Sequence, residues 1–154
     1  MQRGVRLGLD VGSVRIGVSY SDPDGIMAIP MTTVVAGKTA ITQVAALAVE
    51  YQADVIYVGN PVNLSGAHTQ STESAQSFAT ELQSVLEQTA SVRMIDERLS
   101  TVSAQRGMQD IGKTQKASRS VIDQAAAVII LEQALEIEKR SGEPAGIWVG
   151  DISG

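Results

Sequence analysis

The chain has 154 residues, 44% of them hydrophobic and 3% aromatic, with 12 Lys and Arg against 17 Asp and Glu, a net charge of −5. A domain of that size buries roughly 70% of the surface its unfolded chain exposes, so no cross-link is needed to hold a fold. No Cys is present, which excludes disulfides and thiolate metal sites. A pI near 4.8 argues against a protein basic over its whole surface, as nucleic-acid binders usually are.

The opening segment "MQRGVRLGLD" holds no apolar stretch of signal-peptide length. The longest apolar run, Ala125–Leu131, is far short of the ~18 residues that span a bilayer. A soluble, cytoplasmic, membrane-free protein is the expectation. The charge is unevenly spread: between residues 98 and 122, Arg98, Arg106, Lys113, Lys116 and Arg119 face Asp110 alone. That local excess suits either a solvated loop or a phosphate-facing patch.

In chain order, Val5, Leu7, Leu9 and Val11 alternate with Arg6, Gly8, Asp10 and Gly12, the period of a strand. Ile16, Val18 and Tyr20 continue as a second strand, with Gly12-Ser13 near the hairpin. "SDPDG" is a turn cluster, and Ile26 to Val35 reads as a third strand. Ile41, Val44, Ala45 and Ala48 have helical spacing within residues 39–51. "DVIYVGNP" is a short buried-type strand ended by Pro61, and "VNLSGAHTQST" a polar loop. Ala75, Phe78, Ala79, Leu82 and Leu86 mark a second helix, and "SVRMIDE" another strand. Helical patterns follow from about Ser100 to Ile111 and from about Ser120 to Arg140. Strands joined by short connections, then strands alternating with helices, predict an α/β fold. Its mixed sheet combines a three-stranded antiparallel meander with parallel strands and is flanked by helices. Residues 1–140 are read as one domain. Residues 141–154, with Trp148, are a tail that either docks as an extra strand or stays mobile.

Three carboxylates stand out. Asp10 lies at a strand end between Gly8 and Gly12 on one face; Asp beside Gly there also suits a plain turn. The two bare positions leave the face beside the carboxylate open to a ligand. Glu97, in "RMIDERLST", sits where a strand gives way to a helix, a place that equally suits an acid facing a helix dipole. Asp96 beside it points the other way if the strand continues. Asp123, in "SRSVIDQAAAVIILEQAL", fits the N3 position of a capping box with Ser120 as N-cap. It also shares a helix face with Ala126, Ala127 and Ile130, where a carboxylate is costly unless paired or bound to a cation. Such hard oxygen donors suit Mg²⁺, in keeping with a chain of one His and no Cys.

The segments "LGLDVGSVRIGVSYSD", "VIYVGNPVNLSGAHTQSTESAQSFATEL", "MIDERLSTVSAQ" and "VIDQAAAVIILEQAL" resemble, in order and spacing, the YqgF (RuvX-like) family. Its bacterial members have the ribonuclease H-like fold and are associated with Holliday-junction resolution and with pre-16S ribosomal RNA cleavage. The resemblance runs from about Arg6 to Glu136. It implies that Asp10, Glu97 and Asp123 are the active-site acids and hold one or two Mg²⁺ or Mn²⁺ ions. Asn60 stands where the family pattern has Leu. The expected activity is metal-dependent phosphodiester hydrolysis, placed first in maturation of the 5′ end of pre-16S rRNA and second at branched DNA junctions. A junction resolvase would act as a two-fold homodimer. Arg98, Arg106, Lys113, Lys116 and Arg119 would hold the nucleic-acid backbone without reading its sequence. His68, in a polar loop, is either exposed or able to protonate a leaving group. Two rivals are an actin-like or kinase-like ATP binder, whose phosphate hairpin "DVGSVRIGVS" resembles, and a non-catalytic RNA-binding module.

Overall fold

The computed structural model describes residues 4–60, 70–96 and 119–152, without the side chains of residues 70–72, 119–121 and 152. Its strands are β1 (Val5–Val11), β2 (Arg15–Ser21), β3 (Ala28–Val35), β4 (Ala53–Asn60), β5 (Ser91–Asp96) and β6 (Ile147–Trp148). Its helices are α1 (Ala40–Glu50), α2 (Gln70–Leu86), α3 (Arg119–Ser141) and the short α4 (Val149–Ile152). The expected helix from Ser100 to Ile111 lies outside the described residues.

The strands form one sheet in the order β3-β2-β1-β4-β5-β6. β3, β2 and β1 are an antiparallel meander, with Leu9 opposite Val18 and Asp10 opposite Gly17. β4 joins β1 in parallel, with Gly8 opposite Tyr57, and β5 joins β4 in parallel, with Asn60 opposite Asp96. The mixed α/β sheet read from the sequence is therefore present. Ile147 and Trp148, in the segment after Arg140, pair antiparallel with β5. The third strand begins at Ala28 rather than Ile26 for a local reason. The Asp22 carboxylate accepts the N–H groups of Ile26 and Met27, each at 2.8 Å, and holds both in the turn. Those bonds, that from Met27 first, lower the Asp22 pKa below its ordinary value.

Strand alternation sends the two sets of side chains to two helical layers. Leu7, Leu9, Ile16, Val18, Ile56, Val58, Val92 and Met94 bury against Val44 and Ala48 of α1 and Ala79 and Leu82 of α2. On the other face Tyr57 and Ile95 pack with Leu131, Ala134 and Leu135 of α3. β4 is covered on both faces, which is why its sequence reads as a nearly continuous apolar run.

α3 lies unusually close to β1 and β2. A Cβ added to Gly8 would sit 2.8 Å from the Ala127 carbonyl oxygen, and the Ser19 hydroxyl donates to that oxygen at 2.8 Å. The bare position before Asp10 thus admits a helix rather than a ligand, a correction to the reading of that face as open. At the far end of α3, Glu138 is buried and accepts from Arg6 Nε at 3.2 Å, Arg6 Nη2 at 3.0 Å and the Tyr57 hydroxyl at 2.6 Å. Tyr57 in turn accepts the Ala145 N–H at 3.1 Å.

Candidate active site

β1, β4 and β5 run parallel, so their carboxyl ends lie at one edge of the sheet. In such sheets the crevice beyond the carboxyl ends is the usual ligand site. Asp10 is the penultimate residue of β1, a strand with a neighbour on each side. Opposed residues of an antiparallel pair share a face, so Asp10 and Gly17 project toward the same side. The direction a Gly17 side chain would take leads straight into the Asp123 backbone, with the carbonyl oxygen 2.0 Å from the added Cβ. Asp10 and Asp123 are thereby on the same face, at the same edge, separated by one strand.

Asp123 is the fifth residue of α3, and Ala126, Ala127 and Ile130 on its stripe are all buried. Ser120 lies inside the helix, whose first residue is Arg119, so the capping-box alternative for Asp123 does not hold. Its carboxylate engages β2 instead: Arg15 Nε donates to Asp123 Oδ2 at 2.9 Å. Next to it, Gln124 Nε2 donates to Thr33 Oγ1 at 3.0 Å. The start of α3 is thus tied to both β2 and β3. The positive end of its dipole lies beside the acids, which favours an approaching anion.

Asn60 closes β4 at the same edge and faces the α1–α2 side with Val58, opposite Asp96 of β5. Its Oδ1 is buried and has no hydrogen-bond partner among the described residues. Of the other expected site residues, Glu97, Arg98, Arg106, Lys113 and Lys116 lie outside the described residues, as does His68. Arg119 opens α3, and its side chain is not described. Among the described residues no three His, Cys, Asp or Glu side chains come close enough to hold an ion. Asp10 and Asp123 share that face and edge, and Glu97 is the sequence's third candidate. Asp10 and Asp123 are hard oxygen donors suited to Mg²⁺ or Mn²⁺, and among the described residues Asp123 has one partner, Arg15, through Oδ2.

Residues 4–137 match the model of the RuvX family, described as Holliday junction resolvase. The chain belongs to the RuvX family. Relatives of this RuvX-family chain include a protein of Leifsonia xyli subsp. xyli, 49% identical over 95% of this chain and 94% of the relative. A second, from Thermobifida fusca, is 44% identical over 95% of this chain and 96% of its own length. Both carry the name "Putative pre-16S rRNA nuclease". Among solved structures, Thermus thermophilus RuvC in complex with a Holliday junction substrate superposes with a TM-score of 0.56. The match covers 92% of this chain and 99% of RuvC at 15% identity, which establishes a shared ribonuclease H-like fold. No helix among the described residues is long and apolar enough to cross a membrane.

Sequence reasoning missed Arg15. Its partner lies 108 residues away, so no spacing rule links them. The available signal was parity: Arg15, Gly17 and Ser19 share a face of β2.

Proposed function

We propose that this RuvX-family protein is a metal-dependent nuclease that hydrolyses phosphodiester bonds in structured RNA, with the precursor of 16S rRNA as substrate. The observation that supports the reading is the position of Asp10 and Asp123 on one face at the carboxyl edge of the sheet. The names of the relatives support the nuclease class and the RNA substrate.

Asp10, Asp123 and Glu97 would hold one or two Mg²⁺ or Mn²⁺ ions. The chemistry such ions would supply at these residues is activation of water and neutralisation of charge on the leaving oxygen. The residues of the chain do the rest. β1, hydrogen-bonded on both sides, fixes Asp10. The packing of α3 on Gly17, with Arg15 holding Oδ2, fixes Asp123. The start of α3 offers its positive dipole to the phosphate. Hydrolysis adds a water oxygen to phosphorus and breaks one P–O ester bond, the leaving oxygen departing as a hydroxyl. Arg98, Arg106, Lys113, Lys116 and Arg119 supply the positive charge that holds the nucleic-acid backbone, against the protein's net acidity.

Branched DNA is the second reading, favoured by the description of the family and by the fold shared with RuvC. Wild type and Asp10→Asn are compared on an RNA carrying the 5′ end of pre-16S rRNA and on a four-way DNA junction, with Mn²⁺ or EDTA. Mn²⁺-dependent cutting of the RNA by wild type alone is the expected result. Equal cutting by both proteins would refute the assignment, and cutting of the junction alone would move the substrate to DNA.

A further inference from the structure

Among the described residues two arginine–carboxylate pairs join β-strands to α3, and they differ in a way that separates a structural role from a chemical one. Arg6 and Glu138 meet through two nitrogens and two oxygens, and both side chains are 4% exposed. That is a closed fork, with the donors consumed inside the fold. Arg15 meets Asp123 through Nε alone, and its side chain is 27% exposed. A guanidinium has five N–H donors. One of Arg15's is used, and the four on its terminal nitrogens have no acceptor among the described residues.

Arg15 is also held where those donors matter. It opens β2, and its carbonyl accepts the Gly12 N–H at 3.0 Å, which fixes its backbone at the hairpin. By strand parity it lies on the face of Gly17 and Asp10, beyond the Asp10–Gly17 row toward the hairpin. A phosphodiester brought to these acids meets carboxylates that repel it, and a nearby cation of matching geometry offsets that repulsion. The planar fork of arginine matches two phosphate oxygens, as the point charge of lysine does not.

We propose that Arg15 is a phosphate-contacting residue of this site: anchored to Asp123 through Nε, it presents its terminal amino groups to the substrate phosphodiester. The proposal rests on the reading above of Asp123 as a metal-holding acid. The anchor keeps the long side chain in one conformation before substrate arrives, lowering the ordering cost of the contact. The same bond leaves Asp123 its other oxygen.

The test uses the full chain with Arg15→Lys, Arg15→Gln and Arg15→Ala. Four quantities are measured: Mn²⁺ affinity by calorimetry, RNA affinity by fluorescence anisotropy without metal, cleavage rate at saturating RNA, and melting temperature. Loss of a donor aimed at developing charge costs about 10²–10³ in rate, so Arg15→Gln is expected to cut ~100-fold more slowly, with Mn²⁺ affinity and melting temperature close to wild type. Arg15→Lys is expected to fall between, and methylguanidine to restore cutting by Arg15→Ala. Wild-type rates in Arg15→Gln would overturn the proposal. So would a parallel loss of Mn²⁺ affinity and rate that methylguanidine leaves unchanged, because Arg15 would then serve only to hold Asp123. If Arg15→Gln fails to fold, the Arg15→Lys rate at full RNA saturation decides between the same outcomes. A wild-type protein that neither binds Mn²⁺ nor cuts would refute the assignment of the acids instead, a failure visible without any variant.

Discussion

Gly17 has no room for a side chain, because an added Cβ would lie 2.0 Å from the carbonyl oxygen of Asp123. The start of α3 rests on that bare position, and Gly17 is the direct partner of Asp10. Gly17→Ala must therefore push the helix start off the sheet. Overpacking of this kind costs about 1–3 kcal/mol, which for a chain of this size lowers the melting temperature by roughly 2–10 °C. Cleavage is expected to fall much further than stability, since Asp123 moves relative to Asp10. A thermal melt and a cleavage assay at 25 °C check both; unchanged cleavage would mean that the two acids do not act together.

Asp10→Asn and Asp123→Asn are expected to separate stability from activity in different ways. Asp10→Asn keeps the size of the side chain and removes the charge that would hold the ion. Asp123→Asn loses the ion pair with partly exposed Arg15, an interaction of about 1 kcal/mol or less. Both variants should lose Mn²⁺-dependent cutting, and calorimetry should show weakened Mn²⁺ binding.

The base of the domain behaves differently. Glu138→Gln leaves buried Arg6 without its counter-charge, and breaking a buried pair costs about 3–5 kcal/mol. A urea midpoint well below that of wild type is expected, with cleavage per folded molecule retained. Equal midpoints would show that Arg6 finds other acceptors; the Gly4 and Pro23 carbonyls already lie within its reach.

Tyr57 gives the fold an alkaline limit. Burial, and then its hydrogen bond to Glu138, raise the Tyr57 pKa well above the ordinary tyrosine value. A raised acid favours the protonated, folded state. Its contribution is complete below about pH 10, the value for an unfolded tyrosine, and is lost as pH rises through the higher folded value. Melting temperatures between pH 8 and 11 should fall for wild type at the alkaline end and fall less for Tyr57→Phe. At neutral pH that variant is expected to lose about 1–3 kcal/mol, because the Ala145 N–H is left without its acceptor.

Much of this was legible in the sequence because alternation and helical spacing are local signals. Val5 to Val11 declared a strand and placed Asp10 opposite its apolar face, and the stripe through Ala126, Ala127 and Ile130 placed Asp123 on the sheet side of its helix. The contacts that fix the acids were less legible, because they join distant parts of the chain. Gly8 read as an open face, yet the main chain of α3 fills it. Ser120 reads as a cap from its spacing to Asp123, but it lies inside the helix, which starts at Arg119, and Asp123 turns to Arg15. Glu138 carried a signal that was passed over: it continues the buried stripe of Leu131, Ala134 and Leu135, where an unpaired acid is costly.

α3 joins the two ends of the molecule with a fixed rotational phase. Glu138 is clamped at one end and Asp123 lies on the face of Asp10 at the other, 15 positions away, or about 22 Å at 1.5 Å each. Inserting or deleting one residue in that interval would swing one end about 100° round the axis. The number of residues there is thus as strict a requirement as their identity: a change of length that a surface loop would absorb unnoticed would here unseat either the clamp or the acid.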